Sequence, residues 1–317
     1  MMRKTAYLGI LFMIIMVGLI SCRHENKLTP GEGFIDVTGG KIWYRIVGEG
    51  DKTPILLLHG GPGATSYYLN PLAELGKDRP VIFFDQLGCG RSDKTIDTTM
   101  MTTEFFVEEV EQVKKALGLK EYYLYGQSWG TMLGTDYYLA HPEGIKAVIL
   151  SSPAISSPMW IKDAEILLNT LPDSLQKTIK KHEKAKTYKS KEYQDAMRIY
   201  YEHFIARKLP WSADIDSTFT YISEEVYEHM WGKSEFTVTG NLKDYDRTGR
   251  LHEFKVPVLF ITGEYDEARP STVEYYSSLV PDSRFVVIED AAHMTMQDNP
   301  EMDLKTIRDF LNETDQK

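Results

Sequence analysis

Gly126-Gln127-Ser128-Trp129-Gly130 is the segment whose residue types and spacing most directly suggest chemistry. It follows the apolar run Tyr122–Tyr125 and precedes a helical pattern at Thr131–Ala140, the setting of a sharp strand-to-helix turn that presents a serine hydroxyl. Such a hydroxyl is a weak nucleophile at neutral pH. It needs a histidine to take its proton, and the histidine needs a carboxylate to fix its tautomer and stabilise its cation. The chain order in folds of this kind is serine, acid, histidine, so the partners are sought downstream. Asp266 follows the apolar run Val256–Thr262, and His293 follows Arg284–Ile288. Each stands just beyond the C-terminal end of an expected strand, where open α/β sheets place their ligands. Asp290, three residues before His293 on the same loop, is the rival acid. The remaining histidines are less well placed: His24 lies near the N-terminus, His141 closes a helix, and His182, His203, His229 and His252 fall in or beside a helical segment.

A second motif, His59-Gly60-Gly61-Pro62-Gly63, follows the run Pro54–Leu58. A glycine-rich turn lets backbone N–H groups approach the oxyanion of a tetrahedral intermediate, with one donor in this loop and the other on the residue after the nucleophile. The expected donors are the N–H groups of Gly61 and Trp129, and His59 is expected to shape the loop. No Gly-Lys-Ser/Thr follows, which argues against a phosphate loop. Asp85 and Arg91 are expected to organise the turn after Val81–Phe84, with Cys89 in the same turn near the active-site face.

The elements that must carry these residues are legible. Phe34–Thr38 and Lys41–Val47 flank Gly39-Gly40 as a hairpin. Pro54–Leu58 and Val81–Phe84 are continuously apolar, as strands buried on both faces of a parallel sheet are. Phe106, Val110, Val113 and Leu117 fall at helical spacing before Gly118, and Ala147–Leu150 is another strand. Alternation of strand and helix predicts an α/β fold with a mostly parallel sheet. From 153 to 250 charges and aromatics become dense and helical periodicity replaces β runs. The expected organisation is a core at 34–152 and 251–317 interrupted by a helical cap at 153–250, with helices near Thr272–Leu279 and Glu301–Leu311 in the second core segment.

Composition excludes other classes. The 317 residues are 42% hydrophobic and 26% charged, ordinary globular usage, and the net charge is −10. An acidic chain lacks the basic patch that nucleic-acid binding requires, so no nucleic-acid partner is expected. The histidines are scattered without His/Cys ligand spacing, so no metal is expected, and the chemistry needs no organic cofactor.

The N-terminus has its own pattern. Arg3 and Lys4 precede an uncharged stretch whose solidly apolar part, Ala6 to Ile20, is 15 residues long. That is short of the about 20 a spanning helix needs, and favours a signal peptide over an uncleaved anchor. Leu19-Ile20-Ser21-Cys22 resembles the bacterial lipoprotein signal, in which the cysteine is acylated and becomes the mature N-terminus. Residues 1–21 are thus expected to be a signal peptide, Cys22 a lipid anchor and 22–33 a tether, giving an exported, membrane-anchored protein with Cys89 as a free thiol.

Taken together, His59-Gly-Gly-Pro-Gly63, Asp85-Gln-Leu-Gly-Cys-Gly-Arg-Ser92, Gly126-Gln-Ser-Trp-Gly130 and Gly263-Glu-Tyr-Asp-Glu267 resemble the prolyl aminopeptidases (proline iminopeptidases) of the α/β-hydrolase superfamily. The resemblance spans 34–312 and includes Glu235–Asp244. It implies a serine exopeptidase acting on short peptides through Ser128, Asp266 and His293. It further implies that Glu235 and Glu267 grip the substrate's free amine. An end-binding enzyme must tell a chain terminus from an internal bond, and a carboxylate pair at a fixed distance from the serine would read the terminal cation. An apolar proline pocket would draw on cap aromatics such as Trp160, Trp211, Tyr221 and Trp231. An esterase, lactonase or amidase with the same triad is the alternative within hydrolases, and a non-catalytic surface lipoprotein is the alternative outside them.

Overall fold

The computed structural model describes residues 28–316. An eight-stranded sheet runs in the order β1-β2-β4-β3-β5-β6-β7-β8. Strands β1 (Gly31–Val37) and β2 (Gly40–Val47) form the antiparallel hairpin, and β2 pairs antiparallel with β4 (Val81–Phe84). The remaining pairs, through β3 (Ile55–Leu58), β5 (Tyr122–Gln127), β6 (Ile145–Ser151), β7 (Val258–Gly263) and β8 (Ser283–Ile288), are parallel. The first strand starts at Gly31, inside the span expected as tether. Gly31 pairs with Ile46 and Gly33 with Tyr44, so the hairpin partner draws this polar, glycine-containing segment into the sheet.

All four residues of β3 and of β4 are buried, as their unbroken apolar runs require. Helix α1 (Thr103–Leu117) begins where the Thr102 hydroxyl accepts from Phe105 N and ends at Gly118, whose φ of 67° a glycine adopts without penalty. Its apolar stripe, Phe106, Val110 and Val113, joins Leu56, Leu124 and Val148 in one core cluster. Burying each such side chain contributes about 1.5–3 kcal/mol. Leu57, Tyr123, Ile149 and Leu259 face the other side of the sheet and meet Ile307 and Leu311 of the last long helix. Two apolar layers therefore clamp the strand ends that carry the candidate residues.

The insert between β6 and β7 is helical: α3 (Ser157–Leu168), α4 (Asp173–Ala185), α5 (Lys191–Phe204), α6 (Ala213–Tyr221) and α7 (Glu224–Met230), numbered after α2 (Trp129–Ala140). Ser156, Ser190, Ser212 and Ser223 cap four of them by accepting from a backbone N–H in the first turn. The middle of the insert has its own small core around Ile179, Tyr193, Met197 and Tyr200. Its later part does not stand apart: Val226, Met230, Trp231 and Leu242 belong to the main core. After the insert come α8 (Pro270–Ser278), the short α9 (Thr295–Asp298) and α10 (Pro300–Asp315). A 3-10 helix at Ser66–Lys77, absent from the sequence expectations, packs against α6 and buries Tyr68.

Candidate active site

Ser128 sits between β5 and α2 with φ 54° and ψ −123°. Holding a non-glycine residue there costs on the order of 1–3 kcal/mol, sustained only where the surroundings over-determine it. Here they do. A Cβ at Gly126 would lie 2.2 Å from the Gly130 carbonyl oxygen, and one at Gly130 would lie 2.2 Å from the Leu58 carbonyl oxygen. The motif's two glycines are thus steric requirements of a helix pressed against two strands.

Asp266, beyond β7, is buried and accepts four hydrogen bonds. Thr262 Oγ1 (3.0 Å) and Gly263 N (3.1 Å) donate to Oδ2, while Ala268 N (2.8 Å) and His293 Nδ1 (2.8 Å) donate to Oδ1. The donors fix the carboxylate, and the carboxylate fixes the imidazole with Nε2 left for other work. Asp290 is exposed and makes no such contact; its backbone N–H donates to Glu264 Oε2. A Cβ at Gly263 would lie 2.3 Å from the Ala292 carbonyl oxygen, a closeness that lets the acid and histidine loops meet.

The loop after β3 reaches the serine. A Cβ at Gly60 would lie 3.0 Å from Ser128 Cβ, and Gly61 has φ 118°. His59 is buried; Nδ1–H donates to Gly60 O (2.9 Å) and Nε2 accepts from Gln86 N (2.9 Å), an arrangement only the neutral ring allows. Burial depresses its pKa accordingly. Trp129 Nε1 donates to Gln86 Oε1 (2.9 Å), tying the helix start to the same turn. Asp85 is buried and accepts from Arg91 N, Nε and Nη2 and from Ser66, organising that turn as expected. Cys89 is a free thiol, but it is fully buried with Sγ on Gln86 O (3.0 Å), and it does not line the cleft. It lies in the expected turn, beside His59 (3.7 Å to Nε2), with the thiol folded inward.

Ser128, His293, Gly61 and Trp129 open into one cleft of about 720 Å³, and both Glu235 and Glu267 line it. Glu235 follows α7 and is half-buried; Tyr227 (2.7 Å) and Tyr201 (3.3 Å) donate their hydroxyls to its Oε1. Glu267 is buried, with Oε1 3.7 Å from His293 Nε2 and Oε2 without a hydrogen-bond donor. Burial pushes its carboxyl well above the usual range, and the negative charges of Glu235 and Asp266 add to this. Burial raises Glu235 too, against the opposing hydrogen bond from Tyr227. A positive charge placed between the two acids would favour the anionic form of both and offset these shifts.

Of the four cap aromatics singled out in the sequence, Trp160 and Trp231 line the cleft. Trp160 meets the His293 ring edge-on at 5.6 Å. Trp211 stacks behind Phe219 (5.2 Å), and Tyr221 packs on Tyr67 at the surface. Tyr201, Phe219 and Tyr227 line the cleft in their place. No local signal marks them, because aromatic residues in an amphipathic helix read as packing.

Residues 53–300 match the α/β hydrolase fold family. A proline iminopeptidase of Heyndrickxia coagulans is 47% identical over 285 residues, covering 89% of this chain and 98% of that protein. The chain belongs to the proline iminopeptidase family. Among solved structures, VinJ superposes with a TM-score of 0.87 at 34% identity, covering 90% of this chain and all (100%) of that one. The proline iminopeptidase of Mycobacterium smegmatis gives 0.84 at 30% identity, covering 90% and 99%. Membership in this family accounts for the sheet and makes the chain a serine hydrolase of the prolyl aminopeptidase type.

Proposed function

We propose that this protein is a serine exopeptidase that removes the N-terminal residue, preferentially proline, from short peptides. The observation that carries the reading is the meeting, in one cleft, of Ser128 and His293 with the carboxylates of Glu235 and Glu267. The peptide's terminal amine, protonated near neutral pH, docks between the two acids and thereby sets the scissile carbonyl at Ser128. Ser128 Oγ attacks that carbonyl carbon while His293 Nε2 takes the hydroxyl proton, and Asp266 stabilises the imidazolium through Nδ1–H. The N–H groups of Gly61 and Trp129 receive the oxyanion. As the tetrahedral intermediate collapses, the C–N bond breaks and the leaving amine takes the proton from His293. Water, deprotonated by the same histidine, then hydrolyses the acyl-enzyme and frees the amino acid.

Turnover of a prolyl arylamide by the Ser128→Ala variant at the wild-type rate would dispose of this mechanism. An esterase or amidase of the same fold remains the competitor, but a neutral substrate would bring no positive charge to the two buried acids whose anionic forms a cation would stabilise.

The N-terminal pattern supports a further reading, that Cys22 is acylated and anchors the enzyme to a membrane face, with 22–33 as its tether. Residues 1–27 lie outside the described structure, so the signal peptide, Cys22 and most of the tether rest on the sequence alone. Among the described residues no helix is long and apolar enough to cross a membrane. Replacing Cys22 by Ala should release the protein from the membrane fraction; unchanged partitioning with the signal intact would refute the anchor.

A further inference from the structure

A buried chain of side-chain hydrogen bonds joins the oxyanion loop to the histidine loop and passes through the residue beside the nucleophile. Gly60 N–H donates to the Tyr68 hydroxyl (2.7 Å), and that hydroxyl donates to Gln127 Oε1 (2.6 Å). Gln127 Nε2 donates to the carbonyl oxygen of His293 (3.0 Å), and Ser152 Oγ donates to the same oxygen (2.8 Å). The chain has one direction only. The hydroxyl has a single proton, so accepting from Gly60 leaves that proton for Gln127, which orients the amide with its NH₂ toward His293.

Each link is anchored. Tyr68 is 1% exposed, its carbonyl accepts from Gln297 Nε2 (2.7 Å) and its N–H donates to Thr218 Oγ1 (3.1 Å). Gln127 is the last residue of β5, and Ser152 directly follows β6, so two neighbouring strand ends converge on one carbonyl. Ser152 has φ 48°, a conformation glycine reaches more easily, and here the hydroxyl contacts the histidine loop. His293 N–H donates in turn to Phe204 O (3.1 Å) at the end of α5, which pins the peptide groups on both sides of the base.

We infer that Tyr68, Gln127 and Ser152 are positioning residues that hold the oxyanion loop and the histidine loop in one register with Ser128. The inference rests on the reading of Ser128 and His293 as nucleophile and base. Tyr68 and Gln127 also line the cleft, but the role assigned to all three runs through the loops they hold and requires no contact with substrate. Oxyanion donors and base must both be aligned when the tetrahedral intermediate forms, and a misplacement of about 1 Å can cost on the order of a hundredfold in rate.

The test uses Gln127→Met, Tyr68→Phe and Ser152→Gly with a prolyl arylamide. Gln127→Met and Tyr68→Phe should each lower kcat by about tenfold to a hundredfold with KM within about threefold of wild type. Affinity for a prolyl boronate, which forms a tetrahedral adduct on Ser128, should fall by the same factor, while affinity for free proline stays constant. Because both residues belong to one chain, the double variant should be no worse than the poorer single. Ser152→Gly should lose several-fold in kcat while its thermal midpoint holds or rises, since the backbone strain is relieved. Full kcat in Gln127→Met, boronate affinity unchanged, or strictly additive losses would overturn the inference. Should Tyr68→Phe fail to fold, Ser152→Gly decides, because a purely structural role predicts unchanged kcat there. Retained activity in Ser128→Ala would instead sink the underlying mechanism, so the two failures are distinguishable.

Discussion

The sheet side and the cap side of the cleft are built by different means. Ser128, Asp266 and His293 stand at the ends of strands or just beyond them, each held by backbone geometry or by several hydrogen bonds from the core. Glu235 stands on an irregular segment after α7 and is held by two tyrosine hydroxyls from the cap helices α5 and α7. Reacting groups must be placed to within a fraction of an ångström, which regular elements achieve best, whereas binding an ammonium group tolerates a looser frame. Glu267 joins the two sides: it belongs to the loop of Asp266 yet lines the same cleft as Glu235, whose charge adds to the rise of its carboxyl pKa.

This contrast predicts a ranking. On the sheet side, Ser128→Ala should abolish all but a trace of prolyl-arylamide hydrolysis, a loss on the order of 10⁴-fold or more in kcat. Across the divide, Glu267→Gln should lower kcat/KM for the same substrate by about a hundredfold while hydrolysis of a neutral acetate ester changes less than about threefold. Equal losses on both substrates would mean that Glu267 serves the triad and not the amine. On the cap side, Tyr227→Phe should raise KM by about tenfold with kcat nearly unchanged, as expected for one hydrogen bond to a charged group. A drop in kcat alone would show that the cap also shapes the transition state.

The last prediction concerns pH and is the smallest in activity terms. Glu267 has its folded-state pKa raised by burial and by neighbouring negative charge. Such an acid binds its proton more tightly in the folded protein, so its contribution is fully present below the unfolded-state pKa and is lost as pH rises through the folded one. Glu267→Gln should therefore raise the thermal midpoint at pH 8 and change it little at pH 4. Asp303, buried near the histidine loop with its carboxyl pushed up to about 7, gives a control outside the cleft that Glu235 and Glu267 line. Asp303→Asn should flatten the stability decline between about pH 4 and 7, a slope of about 1.4 kcal/mol for each pH unit crossed, without altering KM. A midpoint for either variant that moves in parallel with wild type across that range would contradict the assignment.

Much of the core was readable because its signals are local. The apolar runs of β3, β4 and β7 and the glycine-flanked Ser128 each announce themselves within about ten residues. The start of β1 at Gly31 did not, since a glycine-rich polar segment becomes a strand only when β2 offers it hydrogen bonds. The 3-10 helix at Ser66–Lys77 was invisible for a related reason. Its buried side chains Tyr68, Leu69, Leu72 and Leu75 fall at helical spacing, but Pro71 interrupts the pattern as a sequence signal, and its form is supported by packing against α6. Tyr68, Gln127, Tyr201 and Tyr227 escaped notice as site residues because nothing near them in sequence distinguishes a working hydroxyl or amide from a packed one.

The sequence by itself determined the elbow, the order of serine, acid and histidine, and the glycines without which strand and helix could not approach. The steric demand of a turn is met by the residues that form it, so such features are written locally. Only the tertiary structure decided that Asp266 and not Asp290 meets His293, that Trp160 and Trp231 face the cleft while Trp211 and Tyr221 do not, and that Cys89 is sealed inside its turn. It also decided that Glu235 and Glu267, separated by the 3-10 helix Thr248–Glu253 and by β7, share one pocket. Those outcomes depend on how distant segments cross, and the free energy of a crossing resides in contacts that no single stretch of chain contains.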